Sequence, residues 1–219
     1  SLSAANIFAF AGALGVTFLV YNISRIRNRI SVVTLLLAGV AISALIGSIN
    51  SFILIFKTLD MAKVIFWLMG GLTSASWWQL YTLAPVVIII LTISSFYMRD
   101  LNLISLSDER ASQLGVQTDK VKIILLVLAS IIAASAVSVS GIIGFVGLIT
   151  PHLMRLIVGP DHKVLLPVST IAGGIVLLFS DTIARTILEP REIPVGIITS
   201  IIGVPFFIYL LLKSKRKVF

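Results

Sequence analysis

The sequence has no cysteine, only nine acidic residues and two histidines among its 219 residues. Without thiols it can build neither a disulfide framework nor a thiolate metal site. Charge of either sign is scarce: Asp, Glu, Lys and Arg make up 12% of the chain, where soluble domains carry about 25%. No G-x-x-x-x-G-K-[ST] loop occurs, so the usual cradle for ATP phosphates is missing. No carboxylate pair, Ser-His-Asp set or metal-ligand spacing stands out, so hydrolysis has to belong to another chain and no enzyme activity is expected here. The chain opens Ser1-Leu2-Ser3 with no basic residues ahead of its first apolar stretch. A secretory signal would carry them, so a truncated or processed start is expected.

What is present is apolar surface. Hydrophobic residues reach 58% and mean hydropathy is +1.11. A chain this apolar needs lipid as its solvent. Its net charge of +8 would suggest nucleic acid in a soluble protein. Here the basic residues sit in short loops and the tail, which is membrane topology. About 20 apolar residues cross a bilayer, and runs of that kind are predicted at 5–23, 31–56, 80–98, 121–140, 164–187 and 195–212. The apolar stretch 151–158 is too short to span alone. Before it stands Gly141-Ile142-Ile143-Gly144-Phe145-Val146-Gly147. Its glycines fit either a surface turn or irregular backbone at membrane depth, which survives only beside protein or a water-filled path.

Charge orients the spans. Arg25, Arg27 and Arg29 share one loop; Arg99, Arg110, Lys120 and Lys122 share another; Lys213, Lys215, Arg216 and Lys217 form the tail. Placing these inside leaves Lys57, Lys63, Arg185 and Arg191 outside. The C-terminus is then cytoplasmic and the first span starts outside. The outer stretch 57–79 holds Trp67, Trp77 and Trp78, read as an interfacial belt with a short helix rather than a ligand-stacking site.

The longest polar stretch, Arg99 to Val116, fits two short helices on the cytoplasmic side. Ser105 with Asp108 forms a loose capping box, Asp108 and Glu109 suit a helix N-terminus, and Gly115 suits a left-handed stop. Thr118 or Asp119 is placed to cap the next helix. Ala111 and Leu114 are available for docking, although a plain connecting loop fits the same residues. Near the outer end of a span, Asp181 and Arg185 stand at i,i+4 in the favourable order for an ion pair. Pro151 suits the first turn of a short helix that also carries His152 and Arg155. His162 is predicted at the opposite membrane side from His152, so structural roles are favoured over metal binding. Pro194, Gly196, Gly203 and Pro205 interrupt the last span, where Thr199 and Ser200 offer weak hydroxyl contacts to a solute.

Several runs resemble one family. Leu106-Ser107-Asp108-Glu109-Arg110-Ala111-Ser112-Gln113-Leu114-Gly115-Val116 is similar to the cytoplasmic coupling segment of the iron-siderophore and cobalamin permease family of ABC importers. Gly144-Phe145-Val146-Gly147-Leu148-Ile149-Thr150-Pro151-His152-Leu153-Met154-Arg155 is close to that family's most recognisable run. The resemblance continues through Asp161-His162-Lys163, Asp181-Thr182-Ile183-Ala184-Arg185, Glu192-Ile193-Pro194-Val195-Gly196 and Gly203-Val204-Pro205. Upstream, Leu35 to Val40 and Trp67 to Gly71 also fit. It covers nearly the whole chain in order, and corresponds to the fourth span onward of a ten-span pattern.

The resemblance implies an all-α, polytopic transmembrane helical bundle of the type II ABC importer permease kind. Residues 1–219 form one permease domain, with a coupling segment at about 100–120. It implies a multi-pass protein of a prokaryotic cytoplasmic membrane, acting as a homodimer with two ATP-binding subunits and an extracytoplasmic substrate-binding protein. Its cargo is an iron-siderophore or related chelate, with cobalamin, haem or a molybdate-like oxyanion as alternatives. ATP and Mg belong to the partner subunits, no cofactor to this chain, and nucleic acid plays no role. Ser107, Asp108, Glu109, Arg110, Ala111, Leu114 and Gly115 become the ATPase-coupling segment, and Arg185 with Asp181 the binding-protein dock. Gly141, Gly144, Gly147, Pro151, Pro194, Gly196, Thr199, Ser200, Gly203 and Pro205 become the translocation pathway. Two readings from other classes are an ion-coupled secondary transporter and a non-transporting scaffold. The first would place charged groups at the membrane midplane, where these spans carry almost none.

Overall fold

A bilayer core offers the backbone no hydrogen-bond partners, so long apolar runs close their bonds internally as helices. The computed structural model describes residues 4–26, 29–30, 32–56, 61–73, 75–190 and 192–215. Arg27, Lys57, Arg191, Arg216 and Lys217, used above to orient the spans, lie outside the described residues. The elements in chain order are α1 (Ala4–Ser24), β1 (Arg25–Ile26), β2 (Arg29–Ile30), α2 (Val32–Phe56), α3 (Met61–Leu68) and α4 (Trp77–Phe96). They continue with α5 (Met98–Ile104), α6 (Asp108–Gln113), α7 (Thr118–Ser140), α8 (Val146–Val158), α9 (His162–Thr186) and α10 (Val195–Lys215).

Five helices, α1, α2, α4, α7 and α9, are long and apolar enough to cross a membrane. α10 is 21 residues long, and its apolar part, Val195–Leu210, is shorter than those five. The 13 residues of α8 reach only about 20 Å, short of a hydrocarbon core of about 30 Å. The basic loop after α1 is a two-residue antiparallel ribbon, with Arg25 opposite Ile30 and Ile26 opposite Arg29. Trp77 and Trp78 belong to the first turn of α4 and not to the loop predicted for them. The Gln79 carboxamide oxygen accepts the Ser76 N–H at 2.8 Å and so closes that helix start.

The helices fall into two groups. In the first, α7 packs against α1 and α4, and α2 packs on α1; in the second, α8, α9 and α10 pack on one another. Small residues fill the contacts: Ala38 of α2, Ala134, Ser135 and Ser138 of α7, and Ser180 and Ala184 of α9 are buried. Without a hydrophobic drive between helices in lipid, close backbone approach through such residues is what holds them. The two α7 hydroxyls turn back onto their own helix, Ser135 donating to Ile131 O at 2.7 Å and Ser138 to Ser135 O at 2.8 Å. Large side chains such as Leu36, Ile55, Phe96, Ile157 and Leu178 point outward instead. In water this surface would be insoluble; in a membrane it is the lipid or protein face.

The two groups join at a backbone junction at the α3 end. Gly71 N–H donates to Ser140 O at 2.8 Å. Gly141 ends α7 at φ +68, and a Cβ there would lie closer than 3.0 Å to Trp67 O. Cβ atoms at Gly70 and Gly196 would strike Ile142 O and Met69 O just as closely. Three chain segments therefore touch through backbone alone. Two turns along α10, Gly203 meets Phe145, which starts α8 at a φ of 67. Pro151 is the sixth residue of α8, which corrects its predicted place in the first turn. It withholds a donor from Gly147 O within the helix.

Gly141→Ala should misplace the junction at a cost of about 1–3 kcal/mol, lowering the melting temperature of the detergent-solubilised protein. Gly12→Ala, in open space on α1, should leave that temperature unchanged or raise it.

Candidate functional site

The chain presents polar structure at each end of the bundle, and the apolar spans set the two ends apart. At one end, α5 and α6 form a compact element outside the spans. Ser107 starts α6, its Oγ accepting the Arg110 N–H at 3.1 Å. The predicted cap, Ser105, instead ends α5 and donates to Asn102 O at 2.7 Å. Gly115 stops the element at φ +86, where only glycine is unstrained. Val116 N–H returns to Ala111 O at 3.0 Å. Gln117, rather than Thr118 or Asp119, occupies the position before α7, and no side chain caps it.

Ala111 is fully buried, so it is a seat for the element and not an accessible docking residue as predicted. Leu114 is 66% exposed and takes the outward place. Lys122 of α7 pairs with Asp108, tying α6 to the following span. Glu109 and Arg110 are exposed beside it. A groove of about 430 Å³ runs beneath, lined by Tyr97, Arg99, Leu103, Leu114, Gln117 and Lys120. This end can hold a macromolecular partner by an apolar point, Leu114, ringed with charges.

The same end receives the α8–α9 turn. Gly159 ends α8 at φ +86, and the Asp161 carboxylate caps α9 by accepting the Lys163 N–H at 3.0 Å. That bond, with the Asn102 amide, holds the Asp161 carboxyl below the usual carboxylate range. Asn102 was not singled out in the sequence because its partners lie about sixty residues away.

At the opposite end, the Arg185 Nε donates to Asp181 Oδ2 at 2.8 Å, the i,i+4 pair expected from the spacing. The Arg185 side chain is 42% exposed and Asp181 15%, so the carboxylate anchors a cation that still reaches the surface. Thr73 donates to Glu192 Oε2 at 2.8 Å, a contact between the stretch after α3 and the turn before α10. A cavity of about 370 Å³ opens there, lined by Phe66, Trp67, Thr73, Ser140, Glu192 and Pro194.

The ten residues assigned to a pathway divide in two. Gly141, Gly196 and Gly203 are buried in the chain's own contacts, and Thr199 is buried with its hydroxyl donating to Gly196 O at 3.2 Å. Gly144 and Ser200 instead line an open apolar cavity of about 420 Å³ with Met69, Ile142, Ile197 and Ile201. Gly147 and Pro205 are exposed, Pro151 and Pro194 half-buried. His152 turns its Nδ1 to Leu148 O at 3.0 Å. Among the described residues no group of three or more His, Asp or Glu side chains could hold a metal ion.

Comparison with known proteins gives this geometry its context. The chain is 47% identical over 204 residues to the cobalamin import system permease protein BtuC of Halobacterium salinarum, covering 93% of this chain and 54% of that protein. It is 38% identical over 210 residues to the hemin transport system permease protein HmuU of Yersinia pestis, covering 95% and 63%. The chain thus spans between about half and under two thirds of the length of these relatives. A solved structure described as the inward-facing conformation of a metal-chelate type ABC transporter superposes with a TM-score of 0.82 at 30% identity, covering 95% of this chain and 71% of that one. The model of the FecCD transport family matches residues 1–213, and the chain belongs to that family.

Proposed function

We propose that the protein is the permease subunit of a binding-protein-dependent ABC importer, with residues 1–219 forming one transmembrane permease domain. The observation that carries this reading is the α5–α6 element. It is a rigid, partly charged knuckle standing outside the apolar spans, seated by buried Ala111 and stopped by Gly115. A chain that lacks a phosphate-binding loop but exposes such a knuckle is built to receive motion from an ATP-hydrolysing partner. Two ATP-binding subunits, carrying ATP and Mg, would engage Leu114 and the charges of Asp108, Glu109 and Arg110. This chain itself would bind no cofactor.

The α5–α6 end and the C-terminus face the cytoplasm in this reading, as the basic loops favour. Arg185, oriented by Asp181, faces outward and meets carboxylates of an extracytoplasmic binding protein. Two copies of the permease enclose the path. The open cavity at Gly144 and Ser200 is its wall in this conformation, while Gly141, Gly196 and Gly203 set how closely α10 and the α7–α8 break approach. The cargo is a metal chelate such as an iron-siderophore, cobalamin or haem. Relatives named for cobalamin and hemin support that class and leave the individual chelate to the binding protein.

Co-expression with the cognate ATP-binding subunit tests the reading directly. The subunit should co-purify with the full-length permease, and Leu114→Asp should cut its recovery about tenfold without loss of the permease itself. Equal recovery with the variant would remove Leu114 from the interface, and no recovery with the wild type would remove the importer reading. At the other end, Arg185→Gln should weaken binding-protein affinity about tenfold and flatten its dependence on salt. An unchanged affinity and salt slope would show that the Arg185–Asp181 pair is structural.

A further inference from the structure

One side chain joins the α5–α6 element to the second helix group. Asn102, on α5, donates from Nδ2 to Asp161 Oδ1 at 2.7 Å. Its Oδ1 accepts the His162 backbone N–H at 2.9 Å and the ring Nδ1–H at 2.6 Å. These bonds fix the sense of the amide. Turned over, its NH₂ would face the His162 backbone N–H and its oxygen a carboxylate. The residue that caps α9 is therefore the same residue that holds α5.

Besides its continuity with α4 through Tyr97, the α5–α6 element has two exits for motion. One runs into α7, through chain continuity and the Lys122–Asp108 pair. The other runs through Asn102 into α9, which packs on both α8 and α10. The first leads to the α3 end at Gly141, and the second into the α8–α9–α10 group, which meets that end at Gly196.

We infer that Asn102 is a positioning residue for transport: its amide carries displacement of the α5–α6 element into the α8–α9–α10 group. This rests on the importer reading above. An asparagine that merely held a surface turn would affect stability and leave coupling alone.

Asn102→Asp separates the two. It keeps the shape and both acceptor contacts to His162, removes the donor, and sets a like charge against Asp161. Asp161→Asn turns an NH₂ toward α5 at the cost of the Lys163 N–H bond, because one Asp161 oxygen accepts both bonds. Combined with Asn102→Asp, it restores a donor–acceptor pair with the roles exchanged. The full-length permease, with its ATP-binding subunit, is reconstituted in proteoliposomes with the binding protein. Subunit recovery, ATP hydrolysis and uptake of radiolabelled ferric hydroxamate, haem and cobalamin are then measured. For Asn102→Asp, recovery and hydrolysis should stay within about twofold of wild type while uptake per ATP falls about tenfold. The double variant should regain most of that ratio. An unchanged ratio in Asn102→Asp overturns the inference. So does a parallel loss of recovery, hydrolysis and uptake that the double variant fails to rescue. Absence of ATP-driven uptake by the wild type for all three probes overturns the importer reading instead, and the inference with it.

Discussion

Three stretches of backbone touching without side chains between them set the arrangement of everything else in this chain. The turn after α3, the end of α7 and the start of α10 meet at Gly70, Gly141 and Gly196, where any Cβ would strike a carbonyl group. Irregular backbone near a bilayer is stable only when protein meets its polar groups. The Gly71–Ser140 bond at 2.8 Å meets one such need where α7 breaks off. The break then allows α8 to be short, to start at Phe145, and to lie against Gly203.

The two ends of the bundle are built on different physics. The α3 end is closed mainly by backbone contact that leaves no room for a Cβ at Gly70, Gly141 or Gly196, with the Gly71–Ser140 and Thr73–Glu192 bonds beside it. The α5–α6 end is held by polar bonds: Asn102 with Asp161 and His162, and Lys122 with Asp108. Bonds of this kind are directional and can move as units. An element that must follow a partner's motion suits the second construction, and a closure that must hold between cycles suits the first. Between them the helices pack through small residues, with the Ser135 and Ser138 hydroxyls bonded within their own helix.

The spans were legible in the sequence because length and apolarity alone decide them in lipid, and their ends were set within a few residues. The glycine stop at Gly115 was legible too, since it ends a polar stretch where a left-handed residue was needed. Tertiary partners were not. Ala111 reads as a small surface residue until the return of Val116 onto it buries it. Pro151 reads as a helix start, yet α8 begins earlier, at an aromatic residue with positive φ that no local propensity favours. Asn102, like the Thr73–Glu192 contact, pairs across a long stretch of chain, and one sequence carries no signal for such pairing. The coupling and docking roles come from the family resemblance, since the residues alone fit a plain connecting loop and a structural ion pair equally well.

The central claim is that ATP hydrolysed by a partner, delivered through the α5–α6 element, drives solute across these spans. Its most direct test is uptake of radiolabelled chelate into proteoliposomes holding the full-length permease, its ATP-binding subunit and the loaded binding protein. ATP and an imposed ion gradient would be supplied in turn. Accumulation that requires hydrolysable ATP and ignores the gradient is the expected result. Accumulation driven by the gradient with no nucleotide present would contradict the claim.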